Sequence, residues 1–206
     1  MTAIDPEVNK SLLIIFYRNP EIGKVKTRLA ATLGDASALA IYVYIVAHTK
    51  TLTENIQVDK AVYYSNYIDT EDNWSNGVYK KYLQVGTDLG EKMSNAFVQA
   101  VQSGHQSICI IGTDCYELTS SIVEEAFLRL QSHDVVIGPA RDGGYYLLGM
   151  NTHHPEFFKG KNWSTDSVFE ATLHDFRHLG LTYFVLPLLT DVDDEKDIPA
   201  ELKKLI

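Results

Sequence analysis

Short apolar runs alternate with longer amphipathic stretches along nearly the whole chain, and this alternation constrains the fold more than any other feature. The runs predict strands at about 11–17, 60–65, 80–85, 107–112, 134–138, 144–150 and 182–187. Between them, apolar spacing predicts helices near 27–55, 89–103, 119–132 and 165–179, and a last one near 194–205. The helix at 119–132 is the clearest, because Ile122, Val123, Ala126, Phe127 and Leu130 share one face and Thr119 or Ser120 can cap its start. Such an alternation packs helices on both faces of a largely parallel sheet and places functional loops beyond the carboxyl ends of the strands. With 206 residues and no repeat or linker, the expectation is one α/β domain over 1–206. The polar stretch Asn66 to Gly77 reads as an excursion within it.

Charge narrows the partners. With 27 Asp+Glu against 18 Lys+Arg, the net charge is -9, which argues against a nucleic-acid backbone or an anionic membrane. A small anionic ligand would need a local cationic or metal-filled site. Cys109 and Cys115 are the only cysteines and fit free thiols in a reducing compartment. The start, MTAIDPEVNK, has neither the cationic nor the apolar region of a signal peptide, so the expected compartment is the cytoplasm. Two common nucleotide motifs are missing. No G-x-G-x-x-G comes after the first apolar run, and Gly23-Lys24 leads into Val25 without the upstream glycine of a P-loop.

The first strand runs instead into a cationic turn. In Ser11–Leu29, SLLIIFYRNPEIGKVKTRL, the apolar run enters a Pro20/Gly23 bend carrying Arg18, Lys24, Lys26 and Arg28, with Thr27 positioned to begin a helix. Backbone N–H groups at a helix start, together with arginines that grip two oxygens at once, suit phosphates; a solvated basic loop is the plainer alternative. A second segment, Ile108 to Asp114, ends a buried strand in Gly112, Thr113 and Asp114, where the carboxylate is either a site residue or a cap. In a third, Asp191 and Asp193 stand two apart, so an extended chain would point both the same way. Carboxylates ~4 Å apart repel by ~4 kcal/mol at an effective dielectric of 20, a penalty that Mg²⁺ or Mn²⁺ would remove. Asp194, Glu195 and Asp197 read as capping and solvating groups. The fourth segment, Gly138 to Tyr146, holds Asp142, Gly143 and Gly144, either a close backbone approach to a ligand or an Asp-Gly hairpin turn. Ser164 or Thr165 reads as an N-cap, and the His174/His178 pair lacks the zinc-protease pattern.

Six motifs in order carry a resemblance: PEIGKVKTRL (Pro20–Leu29), DLGEKM (Asp88–Met93), GTDC (Gly112–Cys115), GPARDGGYYLLG (Gly138–Gly149), WST (Trp163–Thr165) and DVDD (Asp191–Asp194). From Leu12 to about Ile198 the chain resembles a bacterial family of GT-A-type glycosyltransferases associated with arsenosugar biosynthesis. That family is distantly similar to phospholactate guanylyltransferase and the molybdenum-cofactor nucleotidyltransferases. The resemblance implies a single-domain, three-layer α/β/α fold with a mixed, mostly parallel sheet. It implies Lys26 and Arg28 as phosphate ligands, Asp114 as the metal-binding carboxylate, and Asp191 and Asp193 as the late pair completing the metal site. Nucleotide contacts would come from Phe16, Arg18, Gly23, Lys26, Thr27, Arg28, Gly143 and Gly144, and Asp142 would serve as base or acceptor-hydroxyl contact. Tyr116 stands where the family usually has proline, Arg18 where it usually has lysine, and Tyr116 also takes the second place of an Asp-x-Asp.

The leading expectation is a metal-dependent glycosyltransferase using a nucleotide-diphosphate sugar, with Mg²⁺ or Mn²⁺ bridging the diphosphate. The alternative is a nucleotidyltransferase, in which an acceptor attacks an NTP and pyrophosphate leaves. A nucleotide-binding protein without catalysis is the third reading, since the second Asp-x-Asp carboxylate is missing.

Overall fold

A computed structural model describes residues 10–205. Seven strands form one sheet: β1 (Ser11–Tyr17), β2 (Asp59–Tyr64), β3 (Tyr79–Leu83), β4 (Ser107–Ile111), β5 (Val135–Pro139), β6 (Tyr145–Met150) and β7 (Tyr183–Val185). Their spatial order is β3-β2-β1-β4-β6-β5-β7. All neighbours are parallel except β6, which runs antiparallel to both β4 and β5. The single reversal comes from the short link after β5, too brief for a helical crossover. Here Ala140, Asp142 and Gly144 close a turn through Ala140 N to Gly144 O (3.0 Å) and Gly143 N to Ala140 O (3.1 Å).

The helices are α1 (Thr27–Leu33), α2 (Asp35–Glu54), α3 (Leu89–Gln102), α4 (Ser120–Arg129) and α5 (Val168–His178). Both faces of the sheet are covered, which explains the unbroken apolar run of β1. Leu13, Ile15 and Tyr17 join Leu52 of α2 and Val123 and Ala126 of α4 on one side. Leu12 and Ile14 join Met93 and Phe97 of α3 and Leu173 and Phe176 of α5 on the other. Thr119 caps α4 through its side chain, bonded to Ile122 N, and Asp88 caps α3 through Glu91 N.

Three expected elements differ. The single helix over 27–55 is two, because Gly34 (φ 82, ψ 157) leaves helical geometry between α1 and α2. The last helix, expected over 194–205, is two 3₁₀ turns, Glu195–Asp197 and Lys203–Leu205, with Pro199 between them. Proline cannot supply a helical N–H, and the Asp194/Asp197 capping box closes only a short turn. The helix expected from 165 starts at Val168. Ser164 is left-handed (φ 64) and Thr165 bonds Asn162 O, so neither caps it.

Among the described residues no helix is long and apolar enough to cross a membrane. Both cysteines are buried free thiols.

Candidate active site

The carboxyl ends of β1, β4 and β5 open on one edge of the sheet, and the segment after β7 crosses them. Leu186 and Leu189 amides bond to Ile137 and Pro139 carbonyls, so this segment first tracks β5. It then turns toward β4. The Thr190 amide donates to Glu117 Oε2 (2.7 Å), and the Val192 amide donates to the Asp114 carbonyl (3.0 Å). Val192 is buried with Leu29 of α1 and Ile41 of α2, which seats the twin acids over the cationic turn.

There the Lys26 ammonium lies between two carboxylates, 2.5 Å from Asp114 Oδ1 and 3.0 Å from Asp193 Oδ1. Its side chain is 4% exposed, whereas Asp114 and Asp193 remain 42% and 35% exposed. Burial alone would lower the Lys26 pKa, but the two carboxylates outweigh it and hold it above the usual lysine value. Lys26 also has a left-handed backbone (φ 48, ψ 48), and α1 begins there with no side-chain cap. For a residue with a Cβ that conformation costs roughly 1–2 kcal/mol.

Asp191 senses the same cluster. Burial, then the charges of Asp114 and Asp142, push its pKa up to about 7, with Asp193 adding to the rise and Lys26 opposing it. Asp191 therefore feels three further carboxylates and one ammonium. The oxygen chemistry and surplus negative charge of the carboxylates fit a hard divalent cation. Among the described residues, no three His, Cys, Asp or Glu side chains are grouped closely enough to hold an ion as arranged. The Lys26 ammonium fills the gap between Asp114 and Asp193.

The other expected residues occupy varied surroundings. Arg18, Gly23, Thr27 and Arg28 are exposed, and among the described residues neither arginine forms an ion pair. Lys24 pairs with Glu21 at the surface and not with the acidic cluster. Phe16 packs on the Tyr63 ring (5.8 Å between centroids), half-buried in the α3 side of the core. Asp142 caps its own turn, accepting Gly144 N at 2.9 Å, and is still near enough to raise the Asp191 pKa. The close approach at Gly143 (φ +89) is to the chain itself: a Cβ there would stand 2.2 Å from the Asp166 carbonyl oxygen. Gly90, in DLGEKM, makes room for Trp163 of WST in the same way, with a Cβ only 2.5 Å from the indole. Two of the glycine motifs thus lock the 163–168 loop in place. Tyr116 packs against His48 (4.7 Å) on α2.

Sequence reasoning missed Tyr42 and Asn19. The buried Tyr42 hydroxyl donates to Arg18 O (2.8 Å), accepts from Arg18 N (3.1 Å) and lies 3.3 Å from Thr113 Oγ1, fixing the ends of β1 and β4 together. Buried Asn19 holds the 65–67 loop, its Oδ1 accepting from Ser65 Oγ and Asn66 N and its Nδ2 donating to Tyr67 O. Neither has a sequence signal, since Tyr42 reads as one more apolar position of a helix and Asn19 as an ordinary turn residue.

Residues 48–165 match the family described as "Uncharacterized protein conserved in bacteria (DUF2064)". Among solved structures, a protein of Desulfovibrio desulfuricans G20, provisionally named a nucleotide-diphospho-sugar transferase, is 30% identical with a TM-score of 0.84. The alignment covers 90% of this chain and 83% of that one. The inositol-1-phosphate CTP transferase of T. maritima is 12% identical (TM-score 0.52, covering 96% of this chain and 95% of that one). The 4-diphosphocytidyl-2C-methyl-D-erythritol synthase of Anaerococcus prevotii DSM 20548 is 9% identical (TM-score 0.55, covering 95% and 93%). These two share the fold. No curated protein matches.

Proposed function

We propose, from the premise that this chain belongs to the bacterial DUF2064 family, that it is a transferase taking a nucleotide-diphosphate sugar as donor and depending on a divalent cation. The observation that carries the reading is the meeting of Lys26, Asp114 and Asp193, brought together across as many as 167 residues at the carboxyl edge of the sheet. The 30% identity to the D. desulfuricans protein, over 90% of this chain, supports a nucleotide-sugar donor.

Asp114, Asp191 and Asp193 would hold Mg²⁺ or Mn²⁺, which supplies neutralisation of the charge that develops on the leaving nucleoside diphosphate. Arg28 and Arg18, exposed and, among the described residues, without carboxylate partners, take phosphate oxygens in bidentate pairs. The cationic turn also carries Gly23 and Thr27 to the diphosphate. Asp142, on the turn beside Asp191, orients an acceptor hydroxyl and receives its proton. Gly143 and Gly144 shape that turn, and Phe16, next to last in β1, would flank the nucleotide.

A second reading, nucleotidyl transfer from an NTP with release of pyrophosphate, is supported by the exposed Arg18 and Arg28 that flank the cationic turn after β1, which suit a triphosphate. Thermal-shift measurement against NTPs and nucleotide sugars, with Mg²⁺, Mn²⁺ or chelator, tests both. A saturating ligand at 100 times its Kd should stabilise by about 2.7 kcal/mol. Release of a nucleoside diphosphate from a sugar donor selects the first reading and release of pyrophosphate the second. Absence of stabilisation by every nucleotide would overturn both.

A further inference from the structure

Lys26 and Arg28 were expected to bind phosphate together, with Arg18 among the nucleotide contacts. Their surroundings divide them. Arg18 and Arg28 are exposed and, among the described residues, have no acidic partner. The Lys26 side chain is buried, with its ammonium engaged by two carboxylates at once.

We propose that Lys26 is a positioning residue, the fixed counter-ion that holds Asp114 and Asp193 together with their free oxygens toward the cleft, and not a ligand of the substrate's phosphates. The inference rests on the proposed reading of Asp114 and Asp193 as cation ligands. Each carboxylate meets the ammonium through its Oδ1. Both are more than a third exposed while the lysine beneath them is 4% exposed, so the acids, and not the ammonium, face incoming solute. A second observation agrees. The left-handed backbone of Lys26 is a conformation that persists only where the surroundings over-determine it. Here the two ion pairs, reaching segments 88 and 167 residues away, supply that constraint. An ammonium with two of its three N–H donors on carboxylates and its side chain 4% exposed is poorly placed to grip a phosphate, and moving out to one would leave both acids unpaired, which the electrostatics of a half-buried site oppose. The consequence is a division of labour within one loop: lysine sets the spacing and charge of the acidic pair, and arginine meets the anion.

Two simple probes separate these tasks: Mn²⁺ alone for the acidic pair, and inorganic pyrophosphate in chelator for the anion cradle. Removing the ammonium in Lys26→Met frees two oxygens and one negative charge, so Mn²⁺ affinity should rise by about tenfold or more. Pyrophosphate affinity should stay within about twofold of the unaltered protein if no phosphate contact is lost. Arg28→Ala should show the reverse, with weakened pyrophosphate and unchanged Mn²⁺ binding. Lys26→Arg, which keeps the charge, should return Mn²⁺ affinity toward that of the unaltered protein. A Lys26→Met protein that loses pyrophosphate as Arg28→Ala does, or binds Mn²⁺ as the unaltered protein does, overturns the inference. If the unaltered protein binds metal-nucleotide and Lys26→Met shows either pattern, only the inference falls; if the unaltered protein binds neither Mn²⁺ nor nucleotide, the functional reading falls with it. A measurement on the unaltered chain removes dependence on variant folding. Reductive methylation and mass spectrometry should find Lys26 protected relative to Lys24 with or without pyrophosphate. Protection that requires pyrophosphate would overturn the proposal.

Discussion

The Val192 amide donates to the Asp114 carbonyl at 3.0 Å, fastening the late acidic segment to the loop that ends β4. Backbone, not side chain, makes this link, so the two acidic segments stay in register whatever their carboxylates do. The side chains can therefore be altered one at a time without dismantling the site.

Asp114→Asn is the first case. It keeps the carbonyl that Val192 uses, and Lys26 retains Asp193. Losing one charge-assisted contact should cost about 1.5–3 kcal/mol of stability, with the fold retained. Metal-dependent nucleotide affinity should fall by about tenfold or more, since a hard cation loses an anionic ligand. Calorimetric titration with and without Mg²⁺ checks this, and unchanged Mg²⁺-dependent affinity would remove Asp114 from the proposed site.

The left-handed backbone at Lys26 gives a second prediction, about stability alone. Lys26→Gly and Lys26→Ala both delete the ammonium, yet only glycine adopts φ 48 without a Cβ penalty. The glycine variant should be the more stable of the two by about 1 kcal/mol, opposite to the usual order near a helix. Denaturant melts of the pair measure the difference, and an alanine variant equal to or above glycine would mean that the backbone relaxes there.

The positions of β1 and β4 were legible because both strands are buried on both sides and so read as continuous apolar runs; the order of the strands in the sheet was not. The break at Gly34 was not, since apolar spacing continues across it from Leu29 to Ile41 and only φ separates the helices. Nor could the alternating Lys24, Lys26 and Arg28 reveal which cation turns inward. That depends on carboxylates far along the chain, and the outcome is Lys24 on Glu21 and Lys26 on Asp114. The Gly143 and Gly90 positions were visible as glycines, but their neighbours, Asp166 and Trp163, are tertiary contacts that no local pattern specifies.

Those contacts yield a third prediction. A Cβ at Gly143 would meet Asp166 backbone atoms at 2.2–2.5 Å, and φ +89 is unfavourable for any side chain. Gly143→Ala should cost about 3 kcal/mol, combining overpacking with backbone strain. Gly144→Ala meets only the Asp142 carboxylate at 3.2 Å, a side chain that can move, and should cost less than about 1 kcal/mol. Thermal melts of the two neighbours test the assignment of Gly143 to loop packing; equal effects would contradict it.

The last prediction concerns pH and Asp191, whose folded pKa of about 7 stands above the ordinary carboxylate value through burial and the charges of Asp114 and Asp142. Between the two values the folded chain binds more of this proton than the unfolded chain does, so stability must fall as pH rises. The contribution is fully present below about pH 4 and is lost as pH climbs toward and through about 7, at most on the order of 2–4 kcal/mol. Chelator-treated protein should therefore melt at lower denaturant at pH 8 than at pH 5, and Asp191→Asn should flatten that slope. Mn²⁺ should flatten it too, because a cation bound at the acidic cluster favours the ionised carboxylate and draws its pKa back down. A slope that survives Asp191→Asn would assign the titration elsewhere, and one that Mn²⁺ leaves untouched would separate Asp191 from the cation.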